Sequence, residues 1–343
     1  MSAPSIVMGR QDYPSVVLRL VGMELYKLRR RTLSRVVGSI AVTLAILLFL
    51  LISVATIFTS NAPASSFIQT CQSQTAPGSQ PASGPAANCA TPPPAVVAQD
   101  RHAALQETSA PLRLPDSLNV AVQFALIAGT ILIIILVGTI AGGEYSIGTV
   151  RLMYTRGPTR TQFLIARLLA AFIIIALGML LMTILGILSG QLLNPLSGIT
   201  QNGDFWSTGW AGHALLYLFI GMINWFMYAA IAIFFGTLGR STAAGIVGAL
   251  TWFFVEPVLG SLLGFLGGFT PGPFGDFLKA IPDYFIGNNF SALLSDQGQY
   301  LFGGSTTSTP AISVMHAVLV LLVYFAFFIG LTWWINERRD VTN

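Results

Sequence analysis

The chain has 343 residues, 54% hydrophobic and only 9% charged, with 17 Lys or Arg against 13 Asp or Glu. A soluble domain carries about 25% charged residues, so this composition and a mean hydropathy of +0.72 exclude a water-soluble globule. The net charge of +4 does not point to nucleic acid, since surplus Lys and Arg in a membrane protein mark its cytoplasmic flanks, and two Cys with three His offer little for metal chemistry.

Residues 1–35 are basic, and within them Val17, Val21, Leu25 and Leu28 recur at helical spacing while Arg19, Lys27, Arg30 and Arg31 fall elsewhere around the wheel. The pattern predicts an amphipathic helix lying in the membrane interface with its cations toward anionic headgroups; a basic flank of no fixed shape is the alternative. The apolar run that follows is too long for an ordinary cleavable signal peptide and reads as a signal anchor, although Ala62-Pro63-Ala64 has the small-x-small form of a cleavage site.

Six runs are long and apolar enough to span a bilayer: 36–59, 118–141, 163–188, 214–236, 243–266 and 312–335. A backbone in hydrocarbon must satisfy its own hydrogen bonds, and the alternation of a membrane β-barrel is absent, so each span is helical. Residues 36–343 are therefore predicted as an all-α polytopic membrane protein of six transmembrane helices, with both termini on one side. Fourteen of the 17 Lys and Arg fall on that side, and only Arg101, Arg113 and Lys279 on the other. The positive-inside rule then puts both termini in the cytoplasm of a cell-membrane protein.

Between the first two spans, residues 60–117 are rich in Ala, Pro, Ser and Gln and form an external segment predicted to be largely mobile. Cys71 and Cys89 both lie there, where oxidation to a disulfide is favoured outside the cytoplasm; two free thiols are the alternative. In the third span, Gly186 and Gly190 make a small-xxx-small packing face. The last external segment, 268–311, mixes Pro271, Pro273 and Pro282 with apolar pieces, which predicts short helices at the outer interface between spans five and six.

Two intramembrane positions could serve a transport pathway. Glu256 lies thirteen residues into span five, roughly 20 Å along a helix, where a carboxyl group is costly and marks a functional site; Pro257 beside it removes a backbone donor and predicts a kink or half-helix. Glu256 could equally be a helix-packing partner. Asn224 in span four suits an interhelical hydrogen bond or a place on the pathway. Trp333 and Trp334 read as an interface belt.

No H-E-x-x-H, no paired intramembrane aspartates and no G-x-x-x-x-G-K-[ST] phosphate loop occur, so neither metalloprotease chemistry nor nucleotide hydrolysis is expected of this chain. The connection between spans two and three, 144–160, is longer than joining two spans requires. Val150, Met153 and Tyr154 would share one face of a short cytoplasmic helix, followed by a Gly157-Pro158 break. Glu144, Gly148, Thr149, Leu152, Met153, Pro158, Thr159, Arg160 and Arg167 fall in a pattern that resembles the permease subunits of ATP-binding cassette (ABC) exporters of the type 2 class, with Arg167 where Lys is more usual.

The resemblance rests on about 25 residues of motif and on the architecture of nearly the whole chain. It implies that 144–160 is a coupling helix in which Glu144, Gly148, Thr149, Arg151, Met153, Pro158 and Arg160 dock on a separate ATPase subunit. That subunit, in two copies, would bind ATP and Mg, and a second permease half, identical or related, would complete the pathway. No cofactor is expected on this chain itself. A self-contained channel or secondary transporter, or a membrane sensor or anchor component, are the alternatives; inverted repeats and several mid-span ionisable residues would mark a transporter of the former kind.

If the Cys71–Cys89 bridge forms, intact protein will resist a membrane-impermeant maleimide until it is reduced. Immediate labelling of both positions would overturn the pairing.

Overall fold

The computed structural model describes residues 13–61, 94–147, 159–193, 195, 208–302 and 312–338. Cys71, Cys89, Gly148, Thr149, Arg151, Met153 and Pro158 lie outside the described residues. Among the described residues there is no strand. The helices are α1 (Tyr13–Arg30), α2 (Thr32–Asn61), α3 (Pro94–Ser109), α4 (Asp116–Phe124), α5 (Thr130–Ile147), α6 (Arg160–Leu193), α7 (Thr208–Gly239), α8 (Thr242–Phe269), α9 (Pro273–Ala280), α10 (Ile286–Phe302) and α11 (Val314–Arg338). A π-helical turn, Ala125–Gly129, joins α4 to α5 as one span.

Six helical stretches are long and apolar enough to cross a membrane: Thr32–Asn61, Asp116–Gly143, Arg160–Leu193, Gly209–Gly239, Thr242–Phe269 and Val314–Arg338. The chain is an all-α polytopic membrane protein. Most helices overrun the predicted apolar runs, because capping residues extend them into polar flanks. At the start of α6 the caps are reciprocal: Gln162 N–H donates to Thr159 Oγ1 (3.2 Å) and Thr159 N–H donates to Gln162 Oε1 (2.9 Å), a capping box. At the start of α8 the Ala244 N–H donates to Ser241 Oγ (3.1 Å), and Arg240 before it turns the chain with φ 50°.

The chain divides into two compact units. In the first (Met1–Val42, Val122–Met182 and Phe205–Asn343) α7 is the most enclosed span and α8 the least. Lipid tails are as apolar as Leu, so helices in a bilayer associate through close packing and interhelical hydrogen bonds rather than through a hydrophobic driving force. Small residues supply the closeness. Gly138 and Gly142 of α5, Gly236 of α7 and Gly245 of α8 meet at one crossing: a Cβ on Gly245 would lie 3.0 Å from the Ala232 carbonyl and 3.2 Å from Gly236 Cα. One on Gly142 would collide with the backbone of Ser241 and Thr242. At the π turn, Gly129 lies under the Trp225 indole, whose Nε1–H donates to the Ala125 carbonyl (3.0 Å). A π turn leaves a carbonyl without its usual helical donor, and the indole supplies one.

In the same unit α1 is the amphipathic helix that the sequence predicts. Val17, Leu20 and Val21 are buried against Ala166 and Ala170 of α6, and Leu28 against Leu136 and Ile140 of α5. The apolar stripe packs on α5 and α6. Glu24, 1% exposed, is neutralised by Lys27 one turn on (3.0 Å).

The second unit comprises Thr43–Ala121 and Thr183–Asp204. Phe49, Leu112 and Ala121 form its core. Gly186 and Gly190 pack against Ser117, Leu118 and Ala121, as their spacing predicts. Pro94–Ser109, within the segment expected to be largely mobile, is a 16-residue helix: after an initial Pro, which suits a first helical turn, its run of Ala, Gln, Leu and Glu has high helix propensity. Thr56 Oγ1 donates to the Thr108 carbonyl (3.2 Å) and holds the end of that helix to α2.

The glycine crossing predicts a contrast between two Gly→Ala substitutions. Gly142→Ala should lower stability by about 1–3 kcal/mol through overpacking, whereas Gly264→Ala, which meets nothing within 4 Å, should be neutral or stabilise by up to about 1 kcal/mol. Thermal midpoints followed by size-exclusion chromatography in detergent test this, and equal midpoints would contradict the packing.

Candidate functional site

The connection 144–160 leaves α5 and enters α6 at the end of the first unit that carries the glycine crossing. Glu144 lies in the last turn of α5. Arg31, just before α2, reaches Gly143 and donates from Nη1 to the Thr139 carbonyl (3.4 Å). Arg167 of α6, 3% exposed, donates from Nη1 to the Ala141 carbonyl (3.4 Å) and lies over the Phe163 ring at 4.8 Å. A cation is favoured near the C-terminal end of a helix, where carbonyl oxygens point outward. Arg31, in the link between α1 and α2, and Arg167 of α6 thus both grip the C-terminal half of α5.

Arg160, at the other end of the connection, is engaged within the chain. Its Nη1 donates to the carbonyls of Asn336 (3.1 Å) and Glu337 (3.0 Å) at the C-terminus of α11. Asn336 Nδ2 returns a bond to the Arg160 carbonyl (3.1 Å), and Thr161 Oγ1 donates to Glu337 Oε1 (2.6 Å). The last carbonyls of a helix have no partner inside it, and Arg160 supplies one. Both ends of the connection are therefore pinned to neighbouring spans by charge-assisted bonds.

Glu256 is 8% exposed on α8. Its Oε2 accepts from Trp252 Nε1–H (3.0 Å), one turn earlier on the same helix. Its Oε1 accepts from the Gly287 N–H (2.7 Å) in the first turn of α10, where amides lack intrahelical acceptors and the dipole favours an anion. The carboxylate is the N-terminal cap of a helix 31 residues away in sequence. Around it stand aromatic rings: Trp252 packs edge-on against Tyr324 and Phe328. Pro257 lies inside α8, which runs on through it to Phe269 without the half-helix break that the sequence suggests. Asn224 is buried in α7 beside Trp225, the residue that closes the π turn.

Between α8 and α11 the described residues 273–302 are helical, as predicted. α10 is 17 residues long and buries Ile286, Phe290, Leu294 and Leu301. Asn289 pins its start by donating to the carbonyls of Asp283 (2.8 Å) and Phe285 (2.7 Å). Its end is held by Trp210 Nε1–H, which donates to the Leu301 carbonyl (3.2 Å), and by a hydrogen bond between His213 Nδ1 and Gln297 Oε1 (2.7 Å). Sequence reasoning missed these partners. Thr159-x-x-Gln162 was a readable signal, since the capping box has that form; Gly287 and Gln297 had none. Among the described residues no group of three or more His, Cys, Asp or Glu could hold a metal ion.

Loss of the Glu256 acceptor should uncouple α10. Glu256→Ala leaves the Gly287 amide and the Trp252 indole unpaired, at a cost of about 1–3 kcal/mol for each buried orphan, while Glu256→Gln keeps one oxygen and should fall between it and the parent protein. Limited proteolysis within 268–302 reads the effect, and equal protection in all three proteins would remove the capping role.

No curated protein matches the chain. Residues 114–342, from the start of the second span to the end of the sixth, match the family model DUF2705, described as proteins of unknown function. This match covers more than half of the chain, which therefore belongs to the DUF2705 family.

Proposed function

We propose that the chain is the membrane-spanning permease subunit of an ABC exporter in the cell membrane, with both termini in the cytoplasm. It forms half of a translocation pathway; a second permease, identical or related, forms the other half. Two copies of a separate ATPase subunit bind ATP and Mg and dock on 144–160. The observation that carries this reading is the anchoring of that connection: Arg31 and Arg167 grip α5 before it, and Arg160 ties α6 to α11 after it. A push on a projection held this way passes to spans two, three and six together. The gathering of Arg31, Arg167 and Arg240 at the same end supports the cytoplasmic assignment of that end by the positive-inside rule.

Purification of the tagged chain from its native membrane tests the reading. A stoichiometric nucleotide-binding subunit with vanadate-sensitive ATP hydrolysis is expected, along with any second permease. A lone homo-oligomer without ATPase activity would overturn the assignment in favour of a channel, secondary transporter or sensor. Arg160→Glu is a poor probe of docking because it also releases α11. Arg151→Glu combined with Met153→Ala should abolish co-purification of the ATPase while leaving membrane insertion and the elution profile unchanged, and retained association would remove 144–160 from the interface.

A further inference from the structure

A cavity of about 530 Å³ lies between α7, α10 and α11. Ile220 and Phe226 of α7, Phe290 of α10 and Leu321 and Phe325 of α11 are among its apolar walls. Its floor is closed, with Phe290 1% and Leu321 5% exposed, while Phe219 and Leu322 at its edges are half-exposed, so it opens sideways into the bilayer. From Leu216 to Phe226 the groove follows α7 for ten residues, roughly 15 Å at 1.5 Å per residue, which is half of a hydrocarbon core about 30 Å thick. The groove is one leaflet deep. Its length and its apolar lining suit a hydrocarbon chain laid along α7.

Asp296 and Gln297 are the polar members of the lining. They sit at the membrane-surface end, because Gln297 Oε1 bonds to His213, three residues before Leu216 on α7. Gln297 Nε2 donates to Asp296 Oδ2 (2.8 Å), and among the described residues no ion pair involves Asp296. Among the described residues its second oxygen accepts no hydrogen bond and its charge has no counter-ion. A carboxylate at the mouth of an apolar, leaflet-deep groove attracts a cationic head and repels an anionic one.

We propose that this groove binds an acyl chain of a phospholipid whose headgroup carries an ammonium, with Asp296 as the counter-charge. The occupant enters laterally, from the leaflet on the side of α9 and α10, and the site does not depend on the exporter reading.

The test uses the full chain in nanodiscs of equal parts phosphatidylethanolamine and phosphatidylglycerol with identical acyl chains, followed by release and native mass spectrometry. The parent protein should keep one phosphatidylethanolamine per chain with roughly a fivefold preference, the scale of one Coulomb contact at a wet interface. Asp296→Asn should still retain a lipid but lose the headgroup preference, and Val318→Trp, which fills the groove, should retain none. Equal retention of both lipids by the parent, an undiminished preference in Asp296→Asn, or retention in Val318→Trp would each overturn the proposal. Should Val318→Trp fail to elute as a single species, Leu216→Trp on the opposite wall carries the same expectation.

Discussion

A peptide group in hydrocarbon has no water to turn to, and this constraint accounts for the placement of most of the polar side chains described above. Six spans satisfy themselves along their lengths; their ends and irregular turns cannot. The Trp225 indole serves the carbonyl exposed by the π turn at Ala125–Gly129. Glu256 takes an orphan amide at the start of α10, and Arg160 serves orphan carbonyls at the end of α11. At these two sites the signs agree with the helix dipole, Glu256 lying at an N-terminus and Arg160 at a C-terminus.

This division of labour changes how the intramembrane carboxylate is understood. Cost alone makes a buried Glu a pathway candidate. Here both of its oxygens are held by donors, one from its own helix and one from α10, so the charge is compensated without a substrate. Glu256 couples span five to α10. A transport cycle that tilted α8 would move the start of α10 with it, since the bond is short and the helix it caps is packed against α7 and α11. The same bond also fixes the start of α10, which forms one wall of the lipid groove.

The spans were legible because about eighteen apolar residues with at most one charge have few alternatives to a membrane helix. The short helices after span five were legible from their apolar pieces. What the sequence hid was pairing at long range: nothing near Glu256 names Gly287, and nothing near Trp225 names the Ala125 carbonyl, a hundred residues earlier. The amphipathic stripe of α1 was legible, but its packing partners were not, because nothing in Val17, Leu20 and Val21 names the small Ala166 and Ala170. Residues 94–109 were misjudged for another reason. Averaging composition over 60–117 diluted a run of good helix formers with the Pro and Ser before it.

The cations deserve separate counting, since an arginine can be placed by topology, by a partner or by the fold. Arg31, Arg160 and Arg167 bond backbone carbonyls of other helices, which means that their presence requires neither a membrane potential nor a docking subunit. Setting them aside leaves eleven Lys and Arg on the termini side against Arg101, Arg113 and Lys279 on the other, so the asymmetry outlasts the structural explanation. A cation that caps a helix is committed to its own chain, and a subunit that competed for it would have to unpin a span. Docking charge is therefore better supplied by residues such as Arg151 and Arg156, which lie between the two anchored ends of the connection, than by the arginines that do the anchoring.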